Sequence, residues 1–361
     1  MKVCRCLVGA VIVALGWASV AAGGQSSLPR QIITAPGSLT SQQRREIDAY
    51  VRACIETLLD PDSSDHQVAK AQKDLINPVR DPDATSEFAF SYATKVASKL
   101  KDVLESEQRL IVRLNAMIVG AALAESLNTV SSKTVLSDSH MLGLIEVGLR
   151  DRGAPVRYWA GKSVAEHTSY QNIAKDDQHT LQGALRDAAM NETWPPALQQ
   201  CFIGLDKLTI AGTDTVVLKV LNQRIEILAA QPDQPLTGEH EGLRGLYVKL
   251  VQQADAGKPI SKKMKKELAQ VAYRFMALSA DAMDRGAVGA DNQADHKKMM
   301  ILAETVLGWV AGPDVKPPGS LKNSVDRGDW PVVMVRVHAW FTALTNKFGL
   351  KADEVRISAA E

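Results

Sequence analysis

Glu239-His240-Glu241 sets an imidazole between two carboxylates, residue types that hold metals or pass protons. A zinc site on one helix needs a second His four residues on, and that His is absent. The triplet is therefore expected to be a solvated helix start. His167, Asp176, Asp177 and His179 can converge around one turn, and four polar residues near a loop are expected simply to be wet. There is no G-x-S-x-G elbow, no phosphate loop and no glycine fingerprint opening a helix after a strand. No catalytic residue, cofactor site or metal site is assigned. An enzyme with an unrecognised site stays as an alternative.

Two groups of residues suit binding better than chemistry. Tyr158 and Trp159 flank an apolar helix face and Trp194 opens the next helix. They read either as aromatics buried between helices or as anchors for a partner. Lys262, Lys263, Lys265 and Lys266, with Lys258, crowd the start of one helix. Cations there oppose the helix dipole at a cost of about 0.3 kcal/mol each or somewhat more. The expectation is a solubilising face, and the alternative is an anionic surface or acidic partner. Asn191-Glu192-Thr193 fits a glycan acceptor, which only a eukaryotic exporter would use.

The elements that must position these residues are helices. From His140 to His167 the chain spells helix, turn and helix. Leu142, Ile145 and Leu149 share one face, with Ser137, Asp138 and Ser139 placed to cap it. Asp151 to Ala154 signals a turn, with Gly153 allowing φ > 0, and Pro155 fits the first position of the next helix. Val156, Ala160 and Val164 make that helix's apolar face. Two helices with one stripe each cannot bury both stripes alone, so they need neighbours. Val112-Arg113-x-x-Ala116 lies 44 residues before Val156-Arg157-x-x-Ala160, and Leu149-Arg150-Asp151 recurs as Leu185-Arg186-Asp187. Ala197, Cys201 and Leu205 repeat the Val156 pattern at an offset of 41, and Val335-Arg336-x-x-Ala339 is a further copy.

The stretch Leu144 to Ala160 resembles a HEAT repeat, the helix-turn-helix unit of α-solenoids. The resemblance implies that a turn Asp and an Arg early in the second helix bond between successive units. The matching positions are Asp151 and Arg157, with Arg113 in the previous unit and Asp187 in the next, where the turn is long. It is clear over 140–167, weaker over 42–210 and poor beyond. The family also includes proteins that attach chromophores to partners, which makes lyase-like chemistry the form the enzyme alternative takes.

Along the whole chain the expected fold is all-α. Residues 1–22 have the layout of a secretory signal peptide: Lys2 and Arg5, an apolar run from Leu7 to Ala18, then small residues for cleavage after Ala22. No later segment is read as long and apolar enough to cross a membrane. Removing the leader leaves 40 basic and 41 acidic residues, a net charge of −1, with no basic footprint for nucleic acid. Residues 23–39 read as a flexible linker. Residues 40–210 read as four HEAT-like helix pairs and 211–361 as a less regular helical region, with a break and plausible domain boundary at 231–238. A helix ending at Asn77-Pro78, an eighteen-residue loop over 312–329 and a buried last helix from Trp330-Pro331 complete the outline. Cys54 and Cys201 read as free buried thiols, with a bridge as the alternative. Stacked helix pairs expose an extended surface that suits macromolecules. The expected function is thus a non-catalytic scaffold of the periplasm or cell surface that binds another protein.

Overall fold

The structure, a computed structural model, describes residues 27–107, 109–130, 139–165, 173–313, 315 and 319–352. The signal-peptide layout of residues 1–22, the capping residues Ser137 and Asp138, and His167 lie outside the described residues. All regular structure among the described residues is helical.

Local chemistry sets the helix ends. Helices α2 (Ser41–Leu59) and α3 (Asp65–Arg80) each begin with a capping box, Thr40 with Gln43 and Ser64 with Gln67. Helix α3 runs through Pro78 to Arg80, beyond the end expected at Asn77-Pro78. A proline inside a helix leaves the carbonyl four residues back without its N–H donor. That carbonyl, on Asp74, accepts the Tyr50 hydroxyl at 2.8 Å, so α2 repairs the ladder of α3.

The following helices pair in the same way. They are α4 (Ser86–Ser106) with α5 (Leu110–Val130), α6 (Ser139–Leu149) with α7 (Ala154–Ala165), and α8 (Lys175–Asn191) with α9 (Pro195–Lys207). The pairing goes on through α10 (Thr213–Ala230) with α11 (Thr237–Asp255), and α12 (Lys262–Asp284) with α13 (Gln293–Ala311). First helices pack in order, α2 on α4 through to α12, and second helices do likewise from α3 to α13. The result is a two-layer, solenoid-like stack of six helix pairs.

Several expectations are corrected. The stack does not change character at residue 210, because α9 packs on α11 and α8 on α10. The 231–238 segment is pinned rather than a hinge between domains. Asp233 accepts the Gly289 N–H at 2.8 Å and the Asn292 side-chain amide at 3.0 Å. Residues from Leu28 onward are not a flexible arm: α1 (Arg30–Ile33) buries Ile32 and Ile33, and Leu28, Ala35 and Leu39 are buried beside them. These side chains cover the open end of the stack, where α1 meets α4. The 312–329 segment holds a short helix, α14 (Lys322–Arg327), seated by buried Leu321 and Val325. The last helix, α15 (Trp330–Phe348), forms as expected but is buried on one face only. Val337 and Trp340 pack inward, while Val335 lies on the other face and is 70% exposed.

Leu110–Leu127 within α5 is long and apolar enough to cross a membrane by composition, which the sequence reading had not noticed. Its apolar character all round has a structural reason: α5 lies between α3 and α7 with α4 behind it, and most of the window is buried. Gly153 does not use the freedom of a positive φ; its N–H donates to the Asp151 carboxylate at 2.6 Å, and the end of the Leu110 side chain lies over it.

Arginines stitch the pairs together. Arg113 on α5 grips the Asp151 carboxylate at 2.7 and 3.2 Å, and reaches back to the Glu107 carbonyl. Arg157 on α7 grips Glu192 at 2.6 and 2.8 Å and the Asp151 carbonyl at 2.8 Å. Asp187, the expected partner, lies inside α8, is exposed, and pairs with adjacent Arg186. The turn is short and sits at 192–194, so Glu192 fills the role. In α9 the arginine position is Leu198, and Arg224 of α10 takes over. It holds the Glu239 carboxylate at 2.8 Å and the Glu192 carbonyl at 2.7 Å. Each guanidinium thus spans one carboxylate and one turn carbonyl, which is how a buried charge is satisfied.

Helices α7, α9 and α11 lie closer together than α6, α8 and α10 do. Gly238 and Gly242 permit it: a Cβ at either would stand 2.6–2.7 Å from Leu198 or Phe202 on α9.

Candidate protein-binding face

The three aromatic residues singled out in the sequence meet where α7 packs beside the start of α9. The Tyr158 ring lies edge-on to Trp159, with centroids 5.7 Å apart, and 5.8 Å from the Trp194 ring. Trp194 reaches Tyr158 because it occupies the N-cap of α9, where Pro195 and Pro196 start the helix and the backbone is still extended. Of the two alternatives, Trp159 follows the first: it packs against the core, with the Lys162 ammonium 4.7 Å over its ring. Trp194 is 38% exposed and so is not buried between helices.

The sequence reading missed two apolar neighbours. Leu110 and Ile111 open α5 and are 45% and 60% exposed. Leu110 leans on the Asp151–Gly153 turn that leads into α7. The available signal was the Leu-Ile pair directly before the Val112-Arg113 motif, one residue ahead of the buried phase. Exposed apolar side chains gathered in this way mark an interaction surface, whereas scattered ones do not.

At the other end of α9 lies a cleft of about 250 Å³, bounded by α9, α11 and the start of α10. Phe202, Gly242 and Leu246 line it together with six charged residues. Asp214 pairs with Lys249 at 2.9 Å, and Glu241 pairs with Arg244. Asp206 and Lys207 stand at the C-terminal end of α9. Asp206 keeps an open side to solvent, yet the cleft walls strip away enough water to push its carboxyl above the usual range, against Lys249 and Lys207. These residues were also missed, since their convergence joins three helices.

The lysines lie elsewhere, on α12, which packs against α10, α13 and α15. Lys262 and Lys263 are exposed, and Lys263 is 3.8 Å from Glu267. Lys265 and Lys266 are half-buried, and the Lys265 ammonium lies 5.8 Å from the centre of the Trp309 ring, which in turn meets Tyr247. Only part of the basic run therefore faces solvent.

The remaining candidates resolve as structure. Glu239 is not a solvated helix start: it is wholly buried, burial pushes its carboxyl up, and Arg224 opposes that shift. His240 is half-buried, with its pKa held down by burial. Asp176 and His179 are exposed and Asp177 half-buried on the first turn of α8. Among the described residues no three His, Cys, Asp or Glu side chains converge as a metal site. Cys54 and Cys201 are free and buried, and burial pushes their thiols up to about 11 and about 12, the reverse of an activated nucleophile. Asn191 is exposed at the end of α8, its amide donating to the Asp187 carbonyl.

No family model, curated protein or solved structure matches the chain.

Proposed function

We propose that the protein is an exported, non-catalytic α-solenoid of the periplasm or cell surface that binds another protein. One observation carries the reading: the Tyr158 and Trp194 rings meet with centroids 5.8 Å apart and Trp194 is 38% exposed, which leaves an aromatic pair open at the surface of the stack. The arginine links between pairs are of the kind that the HEAT resemblance implies. They support a rigid platform, which keeps the entropic cost of binding low. Export rests on the leader-like residues 1–22.

The test is capture from the native envelope with tagged residues 23–361. Wild type is expected to retain a protein that Tyr158→Ala/Trp194→Ala loses and that Lys262→Glu/Lys266→Glu keeps. Retention by the aromatic variant and loss by the lysine variant would reverse the reading in favour of an anionic surface. Binding of that lysine variant to anionic vesicles, compared with wild type, checks the same point directly.

A further inference from the structure

The Tyr158–Trp194 pair offers aromatic rings and hydrogen-bond donors but no free charge. Its edge-on contact, with the ring planes inclined at 62°, covers at most one face of one ring. Trp194 is exposed and Tyr158 half-buried, so ring surface stays open on both. Trp159 is their support: its ring stands at 88° to Tyr158 and carries the Lys162 ammonium. The Trp194 indole N–H and the Tyr158 hydroxyl make no hydrogen bond among the described residues. An indole N–H can only donate, whereas a phenol can do either.

The charges beside the pair are already engaged. Glu192 is buried, and one of its oxygens takes the Thr193 and Trp194 backbone N–H groups at 2.9 and 2.8 Å. Both oxygens also take the Arg157 guanidinium, which reaches the Asp151 carbonyl as well. A ligand here gains from ring contact and from offering acceptors, and not from an ion pair. The pair is also held in place. Glu192 fixes the Trp194 backbone, and Pro195 and Pro196 stiffen the chain behind it, so little freedom is lost on binding.

A chain in the polyproline II conformation has the matching properties. It makes no internal hydrogen bonds, so its carbonyls are free to accept. Each proline adds an apolar ring and brings no N–H to satisfy. A glycan differs, because every hydroxyl brings a proton that needs an acceptor, and the carboxylate at this site is fully used.

We infer that the Tyr158–Trp194 pair binds a proline-containing, polyproline II segment of the partner. The proline ring lies on the aromatic rings, and neighbouring carbonyls accept from the Trp194 indole N–H and the Tyr158 hydroxyl. At about 3.1 Å per residue, centroids 5.8 Å apart span two residues, so the unit recognised is one proline dipeptide rather than a long tract. The inference rests on the protein-binding reading and adds the partner's local conformation and residue type.

A displayed library of about twelve-residue random peptides, panned on residues 23–361, tests it. Enriched peptides are expected to share a proline dipeptide and no fixed charge. In fluorescence anisotropy, Trp194→Ala weakens the best peptide roughly tenfold, as does alanine in place of the peptide's proline. Trp194→Phe keeps a ring but removes the donor, and weakens it about fivefold. In a proton–nitrogen NMR titration, the indole signal that Trp194→Phe lacks is the one that moves when peptide is added to wild type. Trp194 is exposed, so both variants should melt with wild type by circular dichroism. Failure to enrich any peptide, enrichment without proline, an unmoved indole signal, or undiminished binding by Trp194→Ala each overturns the inference. Cellohexaose and chitohexaose are titrated in parallel, and a glycan bound by wild type but not by Trp194→Ala overturns it in favour of sugar. An envelope partner that Tyr158→Ala/Trp194→Ala loses but that excess proline peptide does not displace would end this inference alone. A partner kept by that double variant would end the protein-binding reading as well.

Discussion

Arg224 and Glu239 show how far a single pair can carry an element. Both are buried, at 8% and 1% side-chain exposure, and the arginine also satisfies a turn carbonyl. Removing the arginine strands a carboxylate, which costs far more than the pair contributes as a unit. Arg224→Leu is expected to cost about 3–5 kcal/mol in urea unfolding at pH 7. Glu239's folded pKa is raised, so its ionised form disfavours the fold, and the loss of Arg224 exposes that cost in full. As pH falls from 7 toward the unfolded value of 4.5, Glu239 takes up a proton and the variant's deficit should narrow. A deficit unchanged at pH 5 would count against the assignment. His296 shows the opposite sign. It is buried against the Gln234 carbonyl at 3.2 Å, and burial holds its pKa below 6.5 despite Asp233 and Asp295 nearby. Its contribution is therefore complete above pH 6.5 and is lost as pH falls through the folded value. His296→Gln should flatten the fall in Tm between pH 7 and 5.5 by roughly 2 °C.

At the scale of elements, spacing between neighbouring helices is the controlled quantity. Gly242 lets α11 approach the Phe202 ring on α9, where a Cβ would sit 2.7 Å away. Gly242→Val should cost about 2–3 kcal/mol by overpacking and push the two helices apart. Gly308, on α13, has open space around its Cβ position, so Gly308→Ala should instead stabilise by about 0.5–1 kcal/mol. Chemical denaturation of the two variants side by side checks both signs. The contrast also shows what was legible in the residues. Helix existence followed from apolar spacing, and the first four pairs were readable. The course of α3 past Pro78 was hidden, because the donor that rescues the Asp74 carbonyl comes from another helix. Likewise Tyr158, Trp159 and Trp194 could be named in advance but not ranked, since their exposure depends on how α7 and α9 pack.

At the scale of the molecule, the stack behaves as one array. A chain cut after residue 210 would strip α9 of α11 and uncover Leu198 and Phe202. Repeat arrays lose stability with each interface removed, and their uncapped ends are sticky. That fragment is expected to melt below the full chain and to self-associate in analytical ultracentrifugation. A monomer with an undiminished Tm would restore a domain boundary at 210. The residue order alone decided that the chain is helical, where most helices start, and that no stripe could be buried without a neighbour. Those are local properties, set by side-chain periodicity and backbone capping within a few turns. Only the tertiary structure decided that Arg224 replaces the arginine missing from α9, that Glu239 is buried rather than wet, and that Asp206 faces a cleft. Each of these depends on which helices come to lie side by side, and that is settled by packing across many residues of intervening chain.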